Sequence, residues 1–133
     1  MGNMNQEIKI EMQTVFDKVA NHLLTQNAKS IETLGLDDGG DAITVCRYRG
    51  DHGMMCAVGC LLTDKQASQN EGSTWTEILY ENKKARDLFC NETHELIKYL
   101  QKIHDNRNVP LWKGELADLA KMHQLSSSVL EKF

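Results

Sequence analysis

Between Gln6 and Gln26, apolar residues return every three or four positions, at Ile8, Met12, Val15, Phe16, Val19, Leu23 and Leu24. Glu7, Glu11, Asp17, Lys18 and Asn21 fall off that stripe, so the period predicts an amphipathic opening helix with one face toward a core. The stretch "LGLDDGGD" then breaks the pattern with paired glycines and acids. Beyond it, Ala42 to Tyr48 alternates and is rich in β-branched residues, which predicts a strand; Ser30 to Leu34 is its natural antiparallel partner. The run "MMCAVGCLL", Met54 to Leu62, is apolar on every side and reads as a short helix buried all round.

Downstream, Thr63 with Gln66 and Thr74 with Glu77 carry the spacing of capping boxes, each opening a short helix. From Glu92 to Asp105, Leu96, Ile97, Leu100, Ile103 and His104 share one helical face, and Val109-Pro110 stops the run. A last helix starts near Leu111-Trp112 and uses Leu116, Leu119, Ala120 and His123; Val129, Leu130 and Phe133 close the core. These elements predict an α+β fold, mainly α: a helical domain with one small antiparallel β-hairpin packed against it. No linker or repeat divides residues 1–133, so a single domain is expected.

Composition narrows the classes. With 133 residues and 41% apolar content the chain can form a core without disulfides. A formal net charge of −4 lacks the basic face that phosphate contacts need, so nucleic acid is a poor partner. No apolar run approaches a membrane span, and no basic segment followed by an apolar one opens the chain, so a soluble cytoplasmic protein with four reduced cysteines is expected. The sequon at Asn91 and the Arg49-Gly50-Asp51 tripeptide are then coincidences.

The segment Cys46 to Leu62 concentrates the candidate chemistry: three of the four cysteines, Arg47, Arg49 and His52. An anion site follows if Arg47 and Arg49, two apart on a strand, point to one face beside helix amides; Tyr48 and His52 complete this binding surface. In the bland alternative, both arginines pair with acids such as Asp37, Asp38 and Asp41. A nucleophile reading places Cys56 in the first turn of the buried helix, with His22, His52, His94, His104 or His123 as base. A metal reading takes Cys46, His52, Cys56 and Cys60, with Cys90 and His94 as a second half-site, although paired Cys-x-x-Cys knuckles are lacking. Neighbours on a helix face apart, so His104 and Asp105 are not expected to form a dyad without a helix end there. Trp75 and Trp112 read as core anchors. No cofactor is called for.

The set "YRG", "CAVGCLL", Glu71-Gly72, "LQKIHD" and Trp112 with "LADLAKMHQL" resembles a family of small proteins of bacteriophage and prophage genomes. The likeness rests most on Tyr48, Arg49, Gly50, Cys56, Ala57, Val58 and Gly59. It implies a phage accessory protein that binds a host or antiviral-defence protein inside the infected bacterium. A module sequestering a nucleotide or other anionic small molecule, and a cysteine-dependent hydrolase or transferase centred on Cys56, are the alternatives. A homo-oligomer fits either binding reading.

Overall fold

The computed structural model describes residues 2–133, with side chains from Gln6 onward. Among the described residues, six α-helices and one two-stranded antiparallel hairpin make a mainly helical α+β fold. Helix α1 (Gly2–Gln26) leads into β1 (Ile31–Leu36) and β2 (Ala42–Cys46), followed by short helices α2 (Asp64–Asn70), α3 (Trp75–Glu81) and α4 (Lys83–Arg86). The longer α5 (Asn91–Asn106) and α6 (Trp112–Met122) complete the body.

The apolar stripe of α1 is buried as its period predicts: Met12, Val15, Phe16, Val19, Ala20 and Leu23 all lie in the core. It packs along α5, whose Leu96, Ile97, Leu100, Ile103 and His104 are buried, and against α6 through Trp112, Leu116, Leu119 and Ala120. Both capping boxes form, Thr63 with Gln66 and Thr74 with Glu77, so α2 and α3 start where local chemistry satisfies their first amides. At the other end the core stops early. Leu130 is buried, but Phe133 is 40% exposed and His123 is a half-buried cap of α6 whose ring packs against Tyr99, so neither is a core residue.

The hairpin is set into this body by its root. Ser30 is fully buried and accepts from the Arg47 amide at 3.0 Å, one bond beyond the ladder that begins at Ile31–Cys46. The strands therefore run closer to the tip than the sequence pattern suggests, with β1 reaching Leu36 and β2 stopping at Cys46. At the tip, one Asp37 carboxylate oxygen accepts from the amides of Gly39 and Asp41, each at 2.9 Å, and Gly40 supplies the positive φ of 85°. That is an aspartate-closed turn, with glycine where a side chain would be strained.

The run Met54–Leu62 is not an α-helix. Met55 bridges to Arg49 in extended form, and only Gly59–Leu61 coil into a 3₁₀ turn. Side chains from distant helices take over its backbone groups: the Met55 amide donates to Gln26 Oε1 and the Val58 amide to Gln101 Oε1, both at 2.9 Å. A Cβ at Gly59 would stand 2.3 Å from the Tyr48 carbonyl oxygen, so the segment lies directly against the strand's exit. Cys56 to Gly59 and Leu62 are buried as their apolarity predicts, whereas Met54, Met55, Cys60 and Leu61 are half-buried; the same apolarity serves an irregular segment equally well once its amides are satisfied from outside.

Candidate functional site

Where β2 ends, the chain turns under the body and leaves a cleft of about 280 Å³. Cys46, Arg47 and Tyr48 form one wall, Glu71 to Trp75 the other, and Gln101 and Asp105 of α5 close the back, with Cys56 among the lining residues. Glu71 ties the walls together. Its two carboxylate oxygens accept from the amides of Tyr48 (2.9 Å) and Arg49 (3.0 Å). Tyr48 is buried, its hydroxyl donates to the Ser73 carbonyl, and burial raises its pKa well above the usual phenol range. It is a packing residue at this root rather than a free contact.

The two arginines do not form one basic surface. Arg47 pairs with Glu32 at 3.6 Å beside the cleft. Arg49 turns inward: it donates to the carbonyls of Gly59 (2.6 Å) and Leu62 (2.9 Å) while its Nε reaches Asp64 at 2.9 Å. The strand had ended before either residue, so the two-residue repeat that would align them no longer applies. Their acidic partners are Glu32 and Asp64, not the aspartates of the hairpin tip. With Glu71 and Asp105 lining the cleft against Arg47, and no helix N-terminus at Cys56, the cradle expected for a phosphate is not built. His52 is exposed in the turn Asp51–Gly53, at a positive φ of 61°.

Cys56 is 1% exposed, and burial pushes its thiol up to about 12, opposite to what a nucleophile requires. Its sulfur accepts from the Gly59 amide at 3.3 Å. Of the histidines expected as bases, His22 is hydrogen-bonded to the Met55 carbonyl at 2.7 Å and His104 is committed elsewhere. His94 packs edge-on against Trp75, with Nε2 buried and unpartnered, and burial holds its pKa down. Cys60 is likewise raised by burial, to about 11. In the native protein, alkylation at about pH 7.5 should therefore modify Cys46 and leave Cys56 and Cys60 unreacted until denaturant is added, as peptide mapping by mass spectrometry would show. Native labelling of Cys56 at the rate of a free thiol would contradict this.

Nor do Cys46, His52, Cys56 and Cys60 converge. Among the described residues, the cluster with metal-ligating atoms within 4.8 Å of one another is Cys46, His104 and Asp105; the pair Cys90 and His94 is not part of such a group. The geometry of that cluster argues for hydrogen bonding. The Ser30 amide donates to His104 Nε2 at 2.9 Å, so the imidazole proton resides on Nδ1, which donates to Asp105 at 2.7 Å. Neither ring nitrogen keeps a lone pair for a cation. His104 is fully buried and stacks on Trp112, its centroid 5.5 Å away, which holds the ring edge toward Asp105 one residue before α5 ends. The dyad that helical spacing argues against is thus formed at a helix end, and it fastens the hairpin root to α5. Cys46 beside it is pushed up by burial and by the Asp105 charge.

Sequence reasoning gave no role to Glu71, Gln26 and Gln101: Glu71 holds the backbone of Tyr48 and Arg49, and the two glutamines hold that of Met55 and Val58. Each is an ordinary polar residue on or beside a helix, with no local signal of a backbone partner more than 20 residues away. No family model, characterised protein or solved structure matches the chain. The fold and site together define a small, mainly helical body with a hairpin arm hydrogen-bonded to it at the root. Its outer part is exposed on both strands, with Leu34 at 54%, Leu36 at 69% and Ile43 at 43%.

Proposed function

We propose that this is a phage accessory protein acting by binding a host or antiviral-defence protein in the cytoplasm of an infected bacterium, and that the hairpin arm makes the contact. The observation that carries the reading is the arm itself: exposed apolar side chains on a hairpin fastened at its root by Glu71, His104 and Ser30. A pre-organised arm loses little conformational freedom on binding, and exposed apolar side chains grouped on one element mark an interaction surface. The setting comes from the resemblance of the "YRG" and "CAVG" segments to phage proteins. Arg47 and the exposed His52 flank the arm's base and serve as its polar rim. No described helix is long and apolar enough to cross a membrane.

Catalysis through Cys56 is disfavoured by its burial and raised pKa, and anion sequestration by the carboxylates of the cleft. The test is a partner recovered by affinity capture and then titrated by calorimetry against the purified chain. A triple Leu34→Ser, Leu36→Ser, Ile43→Ser variant should keep the wild-type circular dichroism and bind at least about tenfold more weakly, the scale of losing one interface hot spot. Equal affinity of variant and wild type would remove the arm from the function.

A further inference from the structure

Resting on the arm as the binding surface, we infer the chemistry of its occupant: an extended, lysine- or arginine-bearing segment of a protein partner that pairs along the free edge of β2. Two independent features of the arm lead there. The first is its backbone. In a two-stranded sheet each strand has one outer edge, and that of β1 is already met near its root, where Asp51 accepts from the Thr33 amide at 3.0 Å. Among the described residues, no group outside the hairpin hydrogen-bonds the backbone of Ala42–Cys46. The run Ala42-Ile43-Thr44-Val45 is β-prone, and an unpaired edge of this kind accepts a strand from another chain.

The second feature is charge. Residues 31–46 hold Glu32, Asp37, Asp38 and Asp41, four of the chain's 19 acidic residues and none of its 15 basic ones, so the rest of the chain is formally neutral. The whole net charge of −4 therefore sits on the arm. Only Glu32 has a basic partner among the described residues, Arg47; the aspartates of the tip have none. Two such arms side by side would gather eight carboxylates, which disfavours a second copy as the occupant. A cationic segment, by contrast, meets the uncompensated carboxylates of Asp37, Asp38 and Asp41 where the strand edge reaches the tip, and Leu34, Leu36 and Ile43 then supply apolar contact around the backbone pairing.

Photo-crosslinking tests this directly. A benzoylphenylalanine residue is placed at Ile43 in one variant and at Tyr80 in another; Tyr80 is 84% exposed, lies on α3 and serves as the body control. Both proteins are irradiated in bacterial lysate at about 50 mM and about 500 mM salt, where the screening length falls from roughly 14 Å to roughly 4 Å. The crosslinked residues are mapped by mass spectrometry. The expected result is an adduct from position 43 on a partner segment carrying Lys or Arg within a few residues of the crosslink. Its yield should fall about fivefold or more at high salt, and equally in an Asp37→Asn, Asp38→Asn, Asp41→Asn background. The Asn at 37 keeps the oxygen that accepts from Gly39 and Asp41, so the turn survives the loss of charge.

An adduct from position 43 that lies on a neutral or acidic surface, is indifferent to salt and the Asn variant, or joins two copies of this chain overturns the cationic occupant and leaves the arm as a binding surface. Adducts from position 80 only, or from neither position, overturn both readings.

Discussion

Arg49→Ala should destabilise the protein by about 2 to 4 kcal/mol in urea unfolding, whereas Arg47→Ala should stay within about 1 kcal/mol. The sequence offers no distinction between these two residues; their surroundings do. Arg49 donates to the carbonyls of Gly59 and Leu62, the first residue of the 3₁₀ turn and the residue just after its end, so truncation leaves the partly buried Leu62 carbonyl unpaired and the Gly59 carbonyl with only the Leu62 amide, at 3.3 Å. Its ion pair with Asp64 adds little, because that carboxylate is 97% exposed. Arg47 has only Glu32, at 3.6 Å and half in solvent. Arg49→Lys should recover less than half of the loss, since one ammonium cannot span both carbonyls with the fork geometry of a guanidinium. Equal effects of the two alanine variants would mean that Arg49 points outward, and would reopen a basic surface at the arm's root.

Phe16→Ala should cost about 3 to 5 kcal/mol, the range for removing an aromatic ring from a closed core. Phe16 is completely buried on the face of α1 that packs along α5, beside Val15, Val19 and Ala20. The same urea titration measures it, and the slope with denaturant should be unchanged if the native state stays compact. A loss below about 1 kcal/mol would show that the site either collapses around the cavity or opens to solvent. Neither outcome fits a helix whose opposite face already carries Ile10, Thr14 and Lys18 in solvent.

Much of this protein was legible before its structure. The helical stripes of α1, α5 and α6, the two capping boxes and the aspartate–glycine turn are all signals carried within a few residues, because each element satisfies its own backbone or exposes one apolar face by local geometry. The hairpin, too, could be read from β-branched alternation on either side of a turn. Its consequence for function was less visible. That the arm holds the chain's entire net charge is a property of the sequence, but that it projects from a neutral body is not.

Tertiary structure decided the rest. Met54 to Leu62 has the apolarity of a buried helix, yet it became an extended bridge and a 3₁₀ turn because Gln26, Gln101 and Arg49 supply the hydrogen bonds a helix would have made internally. Those partners come from elements 10 to 43 residues away. The same holds for Glu71 beneath Tyr48 and Arg49, and for His104 with Asp105. Local spacing sets those last two apart, and a buried ring anchored by the Ser30 amide brings them together. A sequence fixes which faces must be buried; which polar side chains then satisfy the buried backbone depends on what the packed elements bring within about 3 Å, a distance that no local pattern encodes.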